Sequence, residues 1–166
     1  MYISESLEFK KNKLFIQNHE ITQISNDSRE VVNGSLFFLI EEDPVLGKKY
    51  IEQAVNKGAV AIVVSNSNNF INQFNNSIIL RSKFVRKDLA KICSRFYKKY
   101  PKNIIAVTGT NGKTSVAKFT EQIWSNNGIL SASIGTLGNS KIQSDNALTT
   151  PDPISLHKQL ADLSEA

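Results

Sequence analysis

The chain has 166 residues, a formal net charge of +5, 40% apolar residues and a single cysteine. That length allows one domain or two small ones, and the apolar share is ordinary for a folded protein. One cysteine excludes an internal disulfide framework and supplies no metal-ligand cluster, no apolar run approaches the ~20 residues of a membrane span, and no basic run is interleaved with exposed aromatics as in a nucleic-acid binder. The N-terminus alternates polar and apolar residues, unlike a signal peptide, and a reducing, cytoplasmic setting is expected. The positive excess gathers at Lys10, Lys11 and Lys13 and between Arg86 and Lys102. It reads either as attraction to anions such as nucleotides or as solvated helix faces, and the second reading suits most of these lysines.

In chain order, the turn Asn33-Gly34 leads into a buried strand at 35–40. Residues 50–57 carry Ile51, Ala54 and Val55 on one helical face, with Gly58 as a stop. The β-branched run at 59–64 is of buried-strand type. The asparagine- and serine-rich stretch 65–77 reads as a loop, followed by a short strand at 77–80. Val85, Leu89, Ile92 and Phe96 recur at helical spacing and place a helix over 85–97, with Cys93 as a buried thiol within it. Pro101 breaks the pattern, so a domain boundary is expected at 100/101, giving domains 1–100 and 101–166.

The second segment opens with a strand at 104–107 (Ile-Ile-Ala-Val), and a glycine-rich turn follows. A helix is expected from about Lys113 to Asn126, with Val116, Phe119, Ile123 and Trp124 as its apolar face and Gly128 at its end. A strand at 130–134, the turn Gly135-Thr136-Leu137-Gly138 and a helical pattern at 154–163 complete the chain. Strand, loop, helix and strand in succession begin a parallel α/β sheet, and the fold class expected is α/β. Two strands and one helix cannot close such a sheet, so the chain is expected to be a piece of a longer protein.

Residues Gly109-Thr110-Asn111-Gly112-Lys113-Thr114-Ser115 carry the most specific chemistry. Glycines let backbone N–H groups approach phosphate oxygens, a helix N-terminus adds partial positive charge, a lysine neutralises phosphate, and a threonine hydroxyl can hold Mg²⁺. The general phosphate-loop pattern puts a glycine six residues before the lysine, where this chain has Val107. A plain strand-to-helix turn would explain the glycines but not Lys113-Thr114 at the helix start.

Four motifs in order resemble the Mur ligases, the MurE type above all. The first is Asn26-Asp27-Ser28-Arg29 with Val32-Asn33-Gly34-Ser35-Leu36-Phe37-Phe38, similar to the D-S-R…G-x-L-F-F signature of the uridine-nucleotide domain. The second runs from Gly47-Lys48-Lys49-Tyr50-Ile51 through Ala54 to Gly58-Ala59-Val60-Ala61-Ile62-Val63. The third is the short phosphate loop itself, whose missing glycine at Val107 is a trait of the family. The fourth pairs Ile134-Gly135-Thr136-Leu137-Gly138 with Leu148-Thr149-Thr150-Pro151-Asp152. The resemblance spans roughly residues 20 to 160.

It implies a uridine-nucleotide-binding α/β domain followed by the start of a phosphate-loop, parallel-sheet ATPase domain. The activity implied is ATP- and Mg²⁺-dependent addition of a diamino acid, meso-diaminopimelate or L-lysine, to UDP-N-acetylmuramoyl-L-alanyl-D-glutamate through an acyl phosphate. By the same resemblance Lys113 is the catalytic cation, residues 109–115 bind ATP, and Thr114 ligates the metal. Asn26 and Ser28 hold the uridine nucleotide, and Thr149 and Thr150 hold the muramoyl peptide. From local chemistry alone Asp27-Ser28-Arg29 reads equally as a capped turn with an ion pair, and Thr149-Thr150 as an extended loop before proline. His19 and His157 have no partner cluster and read as surface or structural.

One departure stands out: Glu41-Glu42-Asp43-Pro44-Val45-Leu46 occupies a loop where relatives carry an aspartate at the Leu46 position, and the acidic run is expected to disfavour a diphosphate. The isolated chain is expected to lack ligase activity and the full-length protein to act as a monomer. The alternatives are a non-catalytic nucleotide-binding module, or another phosphate-loop ligase such as MurF or folylpolyglutamate synthetase.

Overall fold

The computed structural model describes residues 7–10, 13–68, 77–139 and 151–165. Two compact units divide the chain, Met1–Phe96 and Tyr97–Ala166.

In the first unit the alternating N-terminal residues form an antiparallel meander, β1 (Leu7–Lys10), β2 (Lys13–Ile16) and β3 (His19–Ile21). Alternation puts every second side chain on one face. Leu14, Ile16 and Ile21 are accordingly buried, while Lys13 and His19 are exposed.

A four-stranded parallel sheet follows, with β4 (Gln23–Ser25), β5 (Ser35–Phe38), β6 (Ala61–Ser65) and β7 (Ile78–Ser82) side by side in chain order. The expected strands at 35–40, 59–64 and 77–80 are all present with shifted ends. Pairing stops at Phe38, although the Leu39 N–H still donates to the Val63 carbonyl at 2.9 Å. Leu36, Phe37 and Phe38 of β5 and Ala61 to Val64 of β6 are buried, so these strands carry apolar side chains on both faces, as a covered parallel sheet requires. Phe37 pairs with Ile62 and Val63 with Leu80.

The helix expected at 50–57 begins six residues earlier, as α1 (Pro44–Asn56). The cause is local. The Asp43 carboxylate accepts the N–H groups of Val45 and Leu46, each at 2.9 Å, and Pro44 supplies a preset φ at the first helical position. Half of the acidic run read as a loop is therefore a helix start. Ile51 and Ala54 bury against Phe37, Ile62 and Val64, with Val31, Leu39 and Ala59 completing the core. Gly58 ends the helix at φ +90, where an added Cβ would lie 3.0 Å from the Asn33 Cα, and its carbonyl accepts the Gly34 N–H at 3.1 Å. This close approach ties the end of α1 to the turn before β5. The unit closes with α2 (Val85–Tyr97), which has the predicted bounds and buries Leu89, Ile92 and Cys93.

The second unit has α3 (Lys113–Asn126), the two-residue strands β8 (Ile134–Gly135) and β9 (Gly138–Asn139), and α4 (Pro153–Glu165). Here the structure corrects the reading. The strands expected at 104–107 and 130–134 do not form; only Ile134 and Gly135 pair, as the antiparallel β8 with β9. Ile104 and Ile105 are exposed, and so are Val116, Phe119 and Ile123 on the expected apolar face, with Phe119 at 62%. Trp124 is half-buried, and among the described residues of this unit none is fully buried. A strand exists only where a neighbour accepts and donates its backbone hydrogen bonds, and the described residues offer 104–107 no such neighbour.

The Ser164 hydroxyl of α4 donates to the Tyr100 carbonyl at 3.1 Å, and the His157 and Tyr100 rings meet edge to face with centroids 5.8 Å apart. His157 Nδ1 is buried without a hydrogen-bond partner among the described residues, and burial pushes the imidazole below its ordinary pKa. His157 is thus structural rather than a surface group, and His19 lies exposed on β3.

Candidate functional site

The glycine-rich loop runs from Gly109 to Gly112 and feeds α3. Gly112 sits at the helix N-cap with φ 79, a conformation that favours glycine, and no side chain caps the helix. The first N–H groups of α3 are therefore left without a side-chain acceptor, the arrangement that suits an anion. Lys113 Nζ donates back to the Gly109 carbonyl at 2.6 Å and to the Thr110 carbonyl at 3.5 Å, so the ammonium sits over the curve of the loop. Thr110, Asn111 and Ser115 are exposed, and Thr114 is half-buried with its hydroxyl 2.9 Å from that of Thr136. Thr136 lies in the turn Gly135-Thr136-Leu137-Gly138, and the sequence alone does not mark it as a site residue. Contact across 22 positions depends on the β8–β9 turn, which no local pattern discloses.

A separate cavity of about 990 Å³ lies in the first unit, lined among others by Asn26, Ser28, Glu41, Lys49, Gln53 and Arg86. It forms at the C-terminal ends of β4 and β5, where ligands of parallel sheets commonly bind. Asn26 is exposed on its wall, whereas Ser28 is only 4% exposed and donates its hydroxyl to Gln53 Oε1 at 2.8 Å. Gln53 was not anticipated, because its link to Ser28 crosses 25 positions.

The capped-turn reading of Asp27-Ser28-Arg29 describes the local geometry well. Asp27 Oδ1 accepts the Arg29 backbone N–H at 2.8 Å, and the two carboxylate oxygens take the guanidinium, Nη2 to Oδ2 at 2.6 Å. The Lys57 ammonium donates to the Arg29 carbonyl. Hydrogen bonding from Arg29 holds the Asp27 carboxyl below its usual pKa. Both readings meet here, since the turn that carries this ion pair also forms a cavity wall.

Part of the acidic run is directed elsewhere. Glu41 Oε1 accepts the N–H groups of Glu42 and Asp43, each at 2.9 Å, and Asp43 caps α1. Glu41 and Glu42 nonetheless line the cavity, together with the cations Arg29, Lys49 and Arg86. Thr149 and Thr150 lie outside the described residues. Among the described residues no group of three or more His, Cys, Asp or Glu could hold a metal ion, and no helix is long and apolar enough to cross a membrane.

Comparison with known proteins assigns the two stretches. Residues 20–99 match the model of the Mur ligase family, catalytic domain, and residues 107–166 match that of the Mur ligase middle domain. The chain belongs to the Mur ligase family. The UDP-N-acetylmuramoyl-L-alanyl-D-glutamate--2,6-diaminopimelate ligase of Bradyrhizobium diazoefficiens is 43% identical over 152 residues, covering 87% of this chain and 30% of the relative. The protein of the same name from Rickettsia prowazekii is 36% identical over 165 residues, covering 96% of this chain and 33% of that protein. The chain thus spans about a third of the length of the curated relatives it matches.

Among solved structures, a UDP-N-acetylmuramoyl-L-alanyl-D-glutamate--2,6-diaminopimelate ligase matches with a TM-score of 0.74 at 27% identity, covering 88% of this chain and 30% of that one. MurF ligase from Thermotoga maritima in complex with ADP shares the fold, with a TM-score of 0.54 at 20% identity over 82% of this chain and 29% of that one. The α/β class expected from the sequence stands, with the parallel sheet in the first unit.

Proposed function

We propose that the chain is the N-terminal part of an ATP-dependent amide-bond ligase that adds a diamino acid to UDP-N-acetylmuramoyl-L-alanyl-D-glutamate in peptidoglycan synthesis. The observation that carries the proposal is the uncapped start of α3, with Lys113 over the loop and Thr114 beside it, in a chain whose relatives bear that ligase's name. Those names favour 2,6-diaminopimelate over L-lysine as the incoming amine. The first unit is the uridine-nucleotide domain, with Asn26 and Ser28 on its cavity wall. The second, from about residue 101, begins the ATPase domain, and Thr149-Thr150 hold the muramoyl peptide. ATP and UDP-linked precursors place the reaction in the cytoplasm, with the full-length protein acting as a monomer.

In the reaction the D-glutamate γ-carboxylate attacks the γ-phosphorus of ATP, and the bond to the β-phosphate oxygen breaks, releasing ADP. The amine then attacks the acyl phosphate, losing a proton, and phosphate leaves. Lys113 offsets charge on the β- and γ-phosphates as it builds, and the N–H groups of residues 109–114 cradle the phosphate oxygens. The donor chemistry of the loop suits Mg²⁺. The neutral hydroxyl of Thr114 lies at the start of α3 beside the loop, and this ion takes few protein ligands, leaving the rest of its shell to phosphates and water. When bound, the ion supplies neutralisation of the transferring phosphate.

The uridine cavity lies within a unit that has its own buried core, whereas the loop belongs to a unit with none among its described residues. Calorimetry on the 166-residue chain is therefore expected to detect the UDP-muramoyl dipeptide more tightly than ATP. Tight ATP binding without uridine-nucleotide binding contradicts the assignment of the two units.

A further inference from the structure

The turn Gly135-Thr136-Leu137-Gly138 joins β8 to β9 and brings the Thr136 hydroxyl to 2.9 Å from Thr114 Oγ1. Thr114 is the second residue of α3, and among the described residues its side chain makes no other hydrogen bond. A hydroxyl has one hydrogen and two lone pairs. If a lone pair of Thr114 ligates a cation, the hydrogen must point away from it, and the cation makes that hydrogen a stronger donor. An acceptor held on the far side fixes the rotor with its lone pair forward. Without one, the hydroxyl turns freely and must be ordered each time the metal binds.

We infer that Thr136 is a positioning residue: its Oγ1 accepts the Thr114 hydroxyl hydrogen and so aims the Thr114 lone pair at the magnesium ion that accompanies the triphosphate. The inference rests on the loop being the phosphate site. It gives the hairpin turn a role that the fold alone does not require, since Thr136 is exposed and contributes no buried apolar surface. Partners of this kind, behind a metal ligand, typically change metal affinity by about 10- to 100-fold when removed. A neutral hydroxyl pair belongs at the lower end.

The test is calorimetry of ADP binding to the full-length protein, with Mg²⁺ and with excess EDTA, for the wild type and for Thr136→Val, Thr136→Ser and Thr114→Val. Thr136→Val keeps the shape and removes the acceptor; it is expected to lower the Mg²⁺-dependent gain in ADP affinity about 10-fold. Affinity in EDTA should stay at the wild-type value, and Thr136→Ser should restore the gain. Thr114→Val should lose the gain as well. If Thr114→Val loses it while Thr136→Val retains it, the loop reading stands and the positioning role is wrong. If Thr136→Val weakens ADP equally with and without metal and serine does not rescue, the residue is structural and the inference fails. Wild-type metal dependence in Thr114→Val removes the phosphate-site reading itself, and the inference with it.

Discussion

Replacing Lys113 by alanine in the full-length protein is expected to lower turnover by about 10³-fold or more, with little change elsewhere. Removal of one preorganised donor aimed at developing charge costs about 10²–10³ in kcat, and Lys113 carries a full positive charge as well. The side chain is already committed to the loop, where its ammonium donates to the Gly109 and Thr110 carbonyls. Those carbonyls belong to the residues expected to surround the phosphates, so the lysine is placed by the same curve of backbone that would hold the substrate. It lies outside the first unit and its core. The first unit's unfolding midpoint and its affinity for the uridine nucleotide should therefore be those of the wild type. The measurement is steady-state ADP release alongside calorimetry with the UDP-muramoyl dipeptide. Retained turnover would mean that phosphate is held elsewhere.

The second large effect is on stability. Phe37 is 1% exposed on β5 and packs with Ile51, Ile62 and Val64. Phe37→Ala should cost the first unit about 3–5 kcal/mol, since truncating a buried phenylalanine loses both its transfer free energy and its packing contacts. Domains of this size have about 5–15 kcal/mol in total, so the loss is a large share of the stability. Phe37 also borders the first-unit cavity proposed to hold the uridine nucleotide, and the same substitution should weaken binding there. Urea denaturation followed by circular dichroism measures the first effect. A loss below about 1 kcal/mol would show that the β5 face is not packed as described.

The parts of the fold that could be read from sequence are those where a local pattern and the tertiary environment ask for the same thing. Val85 to Tyr97 is one: apolar residues at helical spacing meet a core that buries Leu89, Ile92 and Cys93, and both ends fall where expected. Asp43-Pro44 is a legible helix-start signal for residues 44–49, but Gly47 weakens the helical pattern there, so the periodicity alone points to a later start. At 104–107 propensity and environment part company. Ile-Ile-Ala-Val is a good strand sequence, yet a strand depends on a neighbour, and the described residues contain none beside it.

The candidate site divides in the same way. Gly109 to Ser115 announced itself because glycines, lysine, threonine and a helix start are adjacent in sequence. Two contacts, Gln53 with Ser28 in the first unit and Thr136 with Thr114 in the second, join residues 25 and 22 positions apart. Only the folded backbone brings such pairs together. Asp27-Ser28-Arg29 is intermediate: its ion pair and turn were foreseeable from three adjacent residues, but its place on a cavity wall was not.

The central claim is that this segment belongs to a ligase driven by phosphoryl transfer to the muramoyl dipeptide. Its most direct test is ADP release by the full-length protein with each substrate omitted in turn. The account predicts sustained, multiple-turnover ADP formation only when ATP, UDP-N-acetylmuramoyl-L-alanyl-D-glutamate and 2,6-diaminopimelate are all present, with a product heavier than the dipeptide precursor by one diaminopimelate residue. ADP formation that is indifferent to the muramoyl dipeptide would contradict it.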